Sequence, residues 1–216
     1  MKSVKQVLSF AAAVAFAAVA LPAAAQTVLN VNTALTTDDP MYAGLERMKA
    51  NVEKRSAGKL QIRIFPGSQL GKDEDVLEQA RAGANVAVLV DGGRLAPFVK
   101  EFGILGAPYL VRNFDQVLRL QQNALFKGWV DKLRGAANLQ VLSFDWFQGH
   151  RHVLTNVPVK VPADLKGVRM RTPGAPVWLE TVRAMGATPT GMPWSEVYSA
   201  LQTKVIDGAE AQHPAV

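Results

Sequence analysis

The apolar residues of this chain recur with two periods that take turns. Val28 to Ala34 reads as a first strand, broken by the polar stretch Thr36-Thr37-Asp38-Asp39-Pro40. Met41, Leu45, Met48 and Val52 then return at intervals of 4, 3 and 4, the spacing of one helix face. Asp38 or Asp39 can cap that helix, Pro40 suits its first position and Gly58 stops it. Leu60 to Phe65 alternates as a strand and ends at Pro66-Gly67. The unit repeats: Lys72 to Arg81 is helical, with Asp73, Glu74 and Asp75 in the first turn, where the helix dipole favours anions. Gly83 closes it, and Val86 to Val90 is a nearly continuous apolar strand. Strand, helix, strand, helix, strand predicts a parallel α/β sheet.

Phe102 to Leu110 is apolar but broken by Gly and Pro, so it is placed under the surface outside regular elements. Helices are predicted over 113–121 and 125–134, and a strand over 139–145. The pattern then restarts with a strand at 168–170, a helix at 176–185 with Trp178, Val182 and Met185 inward, and a short strand at 188–190. A helix over 195–203 and a strand over 205–209 complete it. The expected organisation is a leader at 1–25, a first α/β lobe at 26–145, and a crossover with the start of a second lobe at 146–216. The crossover itself is expected near 142–160.

The leader rests on order of chemistry. Lys2 and Lys5 precede an apolar run from Val7 to Leu21, and Ala23-Ala24-Ala25 offers small residues before Gln26. That is a secretory signal peptide with cleavage after Ala25, and it implies a periplasmic product. The run is short for a membrane anchor, which needs about 20 apolar residues, and Pro22 interrupts it. Without Lys2 and Lys5 the formal charge falls from +6 to +4, which suits a solvated basic face or a cleft that collects anions. No basic run is interleaved with aromatics, so nucleic acid is not an expected partner. The sequence holds no cysteine, which excludes disulfides, thiolate metal sites and cysteine nucleophiles. Its 49% hydrophobic content is enough for a core.

No catalytic signature stands out. The chain has no Gly-x-Ser-x-Gly elbow, phosphate-cradling loop or Rossmann fingerprint, so neither an enzyme nor a cofactor is expected. His150 and His152 stand at i and i+2, which suits no helix-borne metal pair, and no metal site is expected. The acidic triplet 73–75 is explained by the helix start. Arg169-Met170-Arg171 is more specific: on a strand both arginines share one face and Met170 the other. An arginine at the end of a parallel strand faces the crevice where α/β folds bind ligands, and a guanidinium matches a carboxylate in two places. The competing reading is two exposed arginines on an edge strand.

Three stretches carry a resemblance. They are 58–71, from Gly58-Lys59-Leu60 to Pro66-Gly67-Ser68-Gln69-Leu70-Gly71; 164–171, Asp164-Leu165-Lys166-Gly167-Val168-Arg169-Met170-Arg171; and 186–210, with Gly191-Met192-Pro193-Trp194-Ser195-Glu196 at its centre and Asp207-Gly208-Ala209-Glu210 at its end. In these the chain resembles the solute-binding proteins of tripartite ATP-independent periplasmic (TRAP) transporters, the C4-dicarboxylate-binding-protein-like family, over essentially the whole mature length. The resemblance implies a two-lobed periplasmic binding protein fold of the type II kind that closes on a small organic acid. The acid would be delivered to integral-membrane TRAP permease subunits.

By the same resemblance the carboxylate-binding arginine falls on Arg171. A second arginine falls on Arg151, the pocket aromatic on Trp194, and a pocket wall on Asp91 with Gly92 and Gly93. Glu210 closes the last motif, and Phe147 is a candidate aromatic lid from the crossover. Trp194 and Phe147 also read as core, and Asp91 as a turn former. Relatives commonly carry Asn-Pro after Glu210, where this chain has Ala211-Gln212, which puts the identity of the acid in doubt. Relatives also continue beyond residue 216, so the second lobe and hinge helix are expected to be incomplete here, as a fragment or a truncated gene. The alternative function is a periplasmic ligand sensor on the same fold, signalling to a membrane receptor.

Overall fold

A computed structural model describes residues 26–215. The leader expected over 1–25 lies outside the described residues.

The first α/β unit begins with β1 (Thr27–Thr33), α1 (Pro40–Arg55) and β2 (Leu60–Phe65). Asp39 caps α1 as expected, accepting a 2.7 Å hydrogen bond from the Met41 amide, and Pro40 opens the helix. Lys54 and Arg55 end it, where the dipole favours cations. Gly58, at φ +77°, supplies the left-handed turn into β2. Then come α2 (Asp73–Arg81) and β3 (Val86–Leu89), and all three strands pair in parallel in the order β2-β1-β3. Val31, Leu45 and Ile62 are buried between sheet and α1.

Two 3-10 turns, 92–95 and 100–106, lead to α3 (Phe114–Gln122) and α4 (Ala124–Ala137). The 102–110 segment is only partly under the surface. Phe102 is fully buried, edge-on to Phe126 and Trp129 with both centroids at 6.0 Å, whereas Tyr109 is fully exposed. Burying an aromatic of this kind contributes about 1.5–3 kcal/mol.

The strand expected over 139–145 does not form. Residues 138–150 belong to no helix and join no ladder among the described residues. Leu139, Val141 and Phe144 are held instead by the core around Phe102 and Phe126, and Trp146 by α1, where its ring packs on Gly44. Apolar side chains alone made this segment look like a strand.

The second unit is a four-stranded sheet in the order β4-β7-β5-β6. It comprises β4 (Arg151–Thr155), β5 (Arg169–Thr172), α5 (Pro176–Ala184), β6 (Thr188–Gly191), α6 (Val197–Gln202) and β7 (Gly208–Gln212). β4 lies inside the expected crossover and pairs antiparallel with β7, so this sheet is mixed. The last strand begins three residues later than expected, at Gly208; just before it Asp207 donates its amide to the Arg169 carbonyl at 2.8 Å and accepts the Arg169 amide at its carboxylate. β5 lies between β7 and β6, so Arg171 is not on an edge strand. Met170 is fully buried with Leu165, Val168 and Val182.

Candidate functional site

The C-terminal ends of β3 and β5 and the β4–β7 ladder bring charged side chains together between the two units. Arg171 is 2% exposed. Its Nε donates to the Met192 carbonyl at 2.9 Å, and its Cζ stands 5.2 Å from the centre of the Trp194 ring, a cation–π contact. Its two terminal nitrogens have no hydrogen-bond partner among the described residues. Burial draws its pKa down to about 10; Glu210 and Asp91 oppose the shift, while Arg94 and Arg151 add to it.

Arg151 is the opposite case, with its guanidinium already engaged. It donates from Nε and from Nη2 to the two oxygens of Glu210, the second bond at 3.0 Å, and Nη1 lies 3.5 Å from Asp91 Oδ1. Its Cζ sits 4.5 Å over the Trp178 ring. Burial works against the arginine's charge, but Asp91 and Glu210 prevail and raise its pKa. Glu210 Oε1 also accepts from the buried Thr172 hydroxyl at 2.9 Å. The β4–β7 register explains the pairing: Arg151 stands opposite Gln212, two residues from Glu210 and on the same face.

Of the six residues singled out in the sequence, Arg171, Arg151, Glu210, Asp91 and Trp194 are thus joined by direct contacts or by shared neighbours. Phe147 is not. Its ring packs on Phe114 at 5.1 Å and on His150 at 6.0 Å, and half its surface is exposed. Trp194 also borders a cavity of about 170 Å³ with Leu154, Asn156 and Leu201. A larger concavity, about 340 Å³ between Phe126 and Leu142, lies on α4 beside Arg134 and is lined by neither Arg151 nor Arg171.

Arg169 leaves the site altogether. It is half exposed and forks onto Asp207, at 2.8 and 2.6 Å, and its backbone amide donates to the same carboxylate. These bonds hold the Asp207 pKa down at about 2.

Sequence reasoning missed Arg94, Thr172, Trp178 and the role of Asp73. Arg94 is 7% exposed, bonded to Glu74, 3.5 Å from Asp73 and 3.9 Å from Asp91. The acidic triplet is therefore more than a helix start, since two of its members hold a buried arginine. Partners 20 residues apart with no shared period left no signal.

Burial raises the Asp73 pKa to about 6, even with Arg94 nearby to lower it. A carboxyl whose folded pKa lies above its unfolded value of 3.8 gives stability that is complete below about pH 4 and lost as pH rises through 6. A shift of this size amounts to about 3 kcal/mol. Subtracting urea stabilities of Asp73→Asn from wild type at several pH values should give a difference that falls between pH 4 and 6.5; a flat difference removes the assignment.

Comparisons with known proteins agree with this geometry. The profile of the bacterial extracellular solute-binding protein, family 7 (DctP), matches residues 31–216. The C4-dicarboxylate-binding periplasmic protein DctP of Rhodobacter capsulatus is 31% identical over 195 residues, 89% of this chain and 58% of that protein. A TRAP periplasmic solute-binding protein from Actinobacillus succinogenes, solved with bound L-galactonate, is 34% identical with a TM-score of 0.84, over 88% of this chain and 62% of that one. Another from Escherichia fergusonii, solved in an apo open form, is 46% identical with a TM-score of 0.71, over 88% and 64%. The chain spans about 60% of the length of the curated relatives it matches. It belongs to the bacterial extracellular solute-binding proteins of family 7, and its two-lobed α/β fold is that of the TRAP periplasmic receptors.

Proposed function

We propose that this protein is the periplasmic receptor of a TRAP-type secondary transporter, binding a small organic acid through Arg171 and passing it unchanged to integral-membrane permease subunits. The observation that carries the reading is Arg171 itself. A guanidinium buried at a strand end, held by one backbone bond and flanked by two more arginines, has its fork unfilled. A carboxylate is the group that fills such a fork in two places. Arg151, Asp91, Glu210 and Trp194 form the surround of that anchor, with lobe 1 over 26–145 and the crossover and lobe 2 from 146. Export by the leader puts the mature start at Gln26.

The relatives range over C4-dicarboxylate- and sialic acid-binding periplasmic proteins and solved structures with bound L-galactonate or sn-glycerol-3-phosphate, so the reading names a small acid and the screen chooses among them. The test is a thermal-shift screen of the complete gene product against C4-dicarboxylates, sugar acids, keto acids and aromatic acids, with neutral sugars as controls. An acid present at 100 times its dissociation constant adds about 2.7 kcal/mol. Stabilisation by acids alone is expected; equal stabilisation by the neutral sugars, or by none of the acids, rejects the reading.

A further inference from the structure

Arg94 is the centre of a charged wall on the first unit. Its guanidinium bonds Glu74, lies 3.5 Å from Asp73 and reaches toward Asp91 at 3.9 Å. Asp91 passes the contact on to Arg151, 3.5 Å away, and Arg151 forks onto Glu210. With Arg171 beside Glu210, three guanidiniums meet four carboxylates, a formal excess of one negative charge before any acid binds. A β-carbon on Gly174 would stand 4.0 Å from Glu74 Oε1, which sets Glu74 across from the turn that follows β5, the strand of Arg171.

The two sides of this cluster differ in what they leave free. On the β5 side the buried Arg171 side chain has terminal nitrogens, all donors, without a partner among the described residues. On the other side the open groups are acceptors. The Glu74 side chain is 47% exposed and gives one oxygen to Arg94, the Asp91 side chain is 36% exposed, and buried Asp73 has its Oδ1 without a hydrogen-bond partner among the described residues. Ionised carboxylates accept hydrogen bonds and cannot donate them. A ligand that lays one carboxylate on the Arg171 fork therefore meets, beyond it, oxygens that take hydroxyl hydrogens and repel a second negative charge. Burial already holds the Asp73 pKa up at about 6, with Glu74 and Asp91 adding to the rise against Arg94 and Arg171. A wall on which one carboxyl ionises reluctantly disfavours a further anion.

We infer that Glu74 and Asp91 are specificity-determining residues, which select a singly charged, hydroxyl-bearing acid and reject dicarboxylates, with Arg94 as the positioning residue that holds them. This selection rests on the receptor reading and adds to it the charge and hydrogen-bonding character of the ligand. Discrimination of this kind comes as much from an unfavourable contact with the wrong ligand as from a favourable one with the right ligand.

Calorimetry on the complete gene product at neutral pH checks it with three sodium salts. L-Galactonate is a hydroxylated monoanion, succinate a dianion, and hexanoate a monoanion without hydroxyls. L-Galactonate is expected to bind at least about tenfold more tightly than either of the others. Glu74→Gln, Asp91→Asn and their double variant remove the charges at nearly constant shape. In the double variant the ratio of the succinate to the galactonate dissociation constant should fall at least about tenfold, with succinate binding gained outright. A purely structural role for the two carboxylates would weaken both acids alike and leave the ratio where it was. Succinate or hexanoate bound as tightly as L-galactonate by the parent, or a ratio unmoved in the double variant, overturns the selection. So does a parent that binds none of the three salts. The thermal-shift screen then separates the two readings, because stabilisation by some other acid keeps the receptor and removes the selection alone.

Discussion

Replacing Arg171 by alanine in the complete gene product is expected to weaken binding of its acid at least about a hundredfold, the largest effect of any single change at the site. Hydrogen bonds to charged groups contribute about 1.5–3 kcal/mol net, and stranding the ligand carboxylate in a closed cleft raises the loss toward roughly 3–5 kcal/mol. Arg171 is pre-set for the task, with Met192 fixing its Nε and Trp194 its flank. With a pKa of about 10 it keeps its charge throughout the neutral range. Arg171→Lys should recover only part of the loss, because an ammonium has no fork. Arg169→Ala is the control, since that side chain forks outward onto Asp207. Calorimetry on the three variants checks the assignment, and an Arg171→Ala protein within threefold of wild type defeats it.

Glu210→Ala is expected to act on stability first, by about 3–5 kcal/mol. Its carboxylate is 9% exposed and takes two bonds from Arg151 and one from Thr172. Truncation leaves Arg151 with Asp91 alone, at 3.5 Å, and the Thr172 hydroxyl with nothing. Glu210→Gln keeps the shape but only one of the two acceptor oxygens, with its NH2 facing an arginine donor, and should lose about 1.5–3 kcal/mol. Urea midpoints give both values. A Glu210→Ala protein that unfolds at the wild-type concentration would mean that the pair forms without contributing to the fold.

The first unit was almost fully legible because its elements are local. The α1 cap at Asp39, the helix face of Met41 to Val52 and the strand over 60–65 are each written within a dozen residues. Errors began where partners are distant. Residues 139–145 have a strand's apolar content but no partner strand, and β4, Arg-His-Val-Leu-Thr, has no clean alternation; its pairing comes from β7, nearly sixty residues on. Arg171 was legible by strand position and by resemblance together, since alternation alone would have ranked Arg169 with it. Arg94 and Trp178 were not: the carboxylates around Arg94, Asp73 and Glu74 above all, share no period with it, and the contacts of Trp178 cross the two units.

The β4–β7 ladder has one further consequence. Strand register is ordinarily dictated by a buried apolar face, and a slip by one residue turns every side chain over. β4 buries no such face; His152 and Val153 both point to solvent. Two things distinguish the right alignment from its neighbours: the Arg151–Glu210 bond, which a one-residue slip abolishes, and Gly208 opposite Thr155, where a β-carbon would stand 2.4 Å from the Leu154 carbonyl oxygen. In this strand the molecule spells its alignment in charge as well as in shape, and because the pair is mostly buried, salt should leave the spelling legible where it would erase a surface pair.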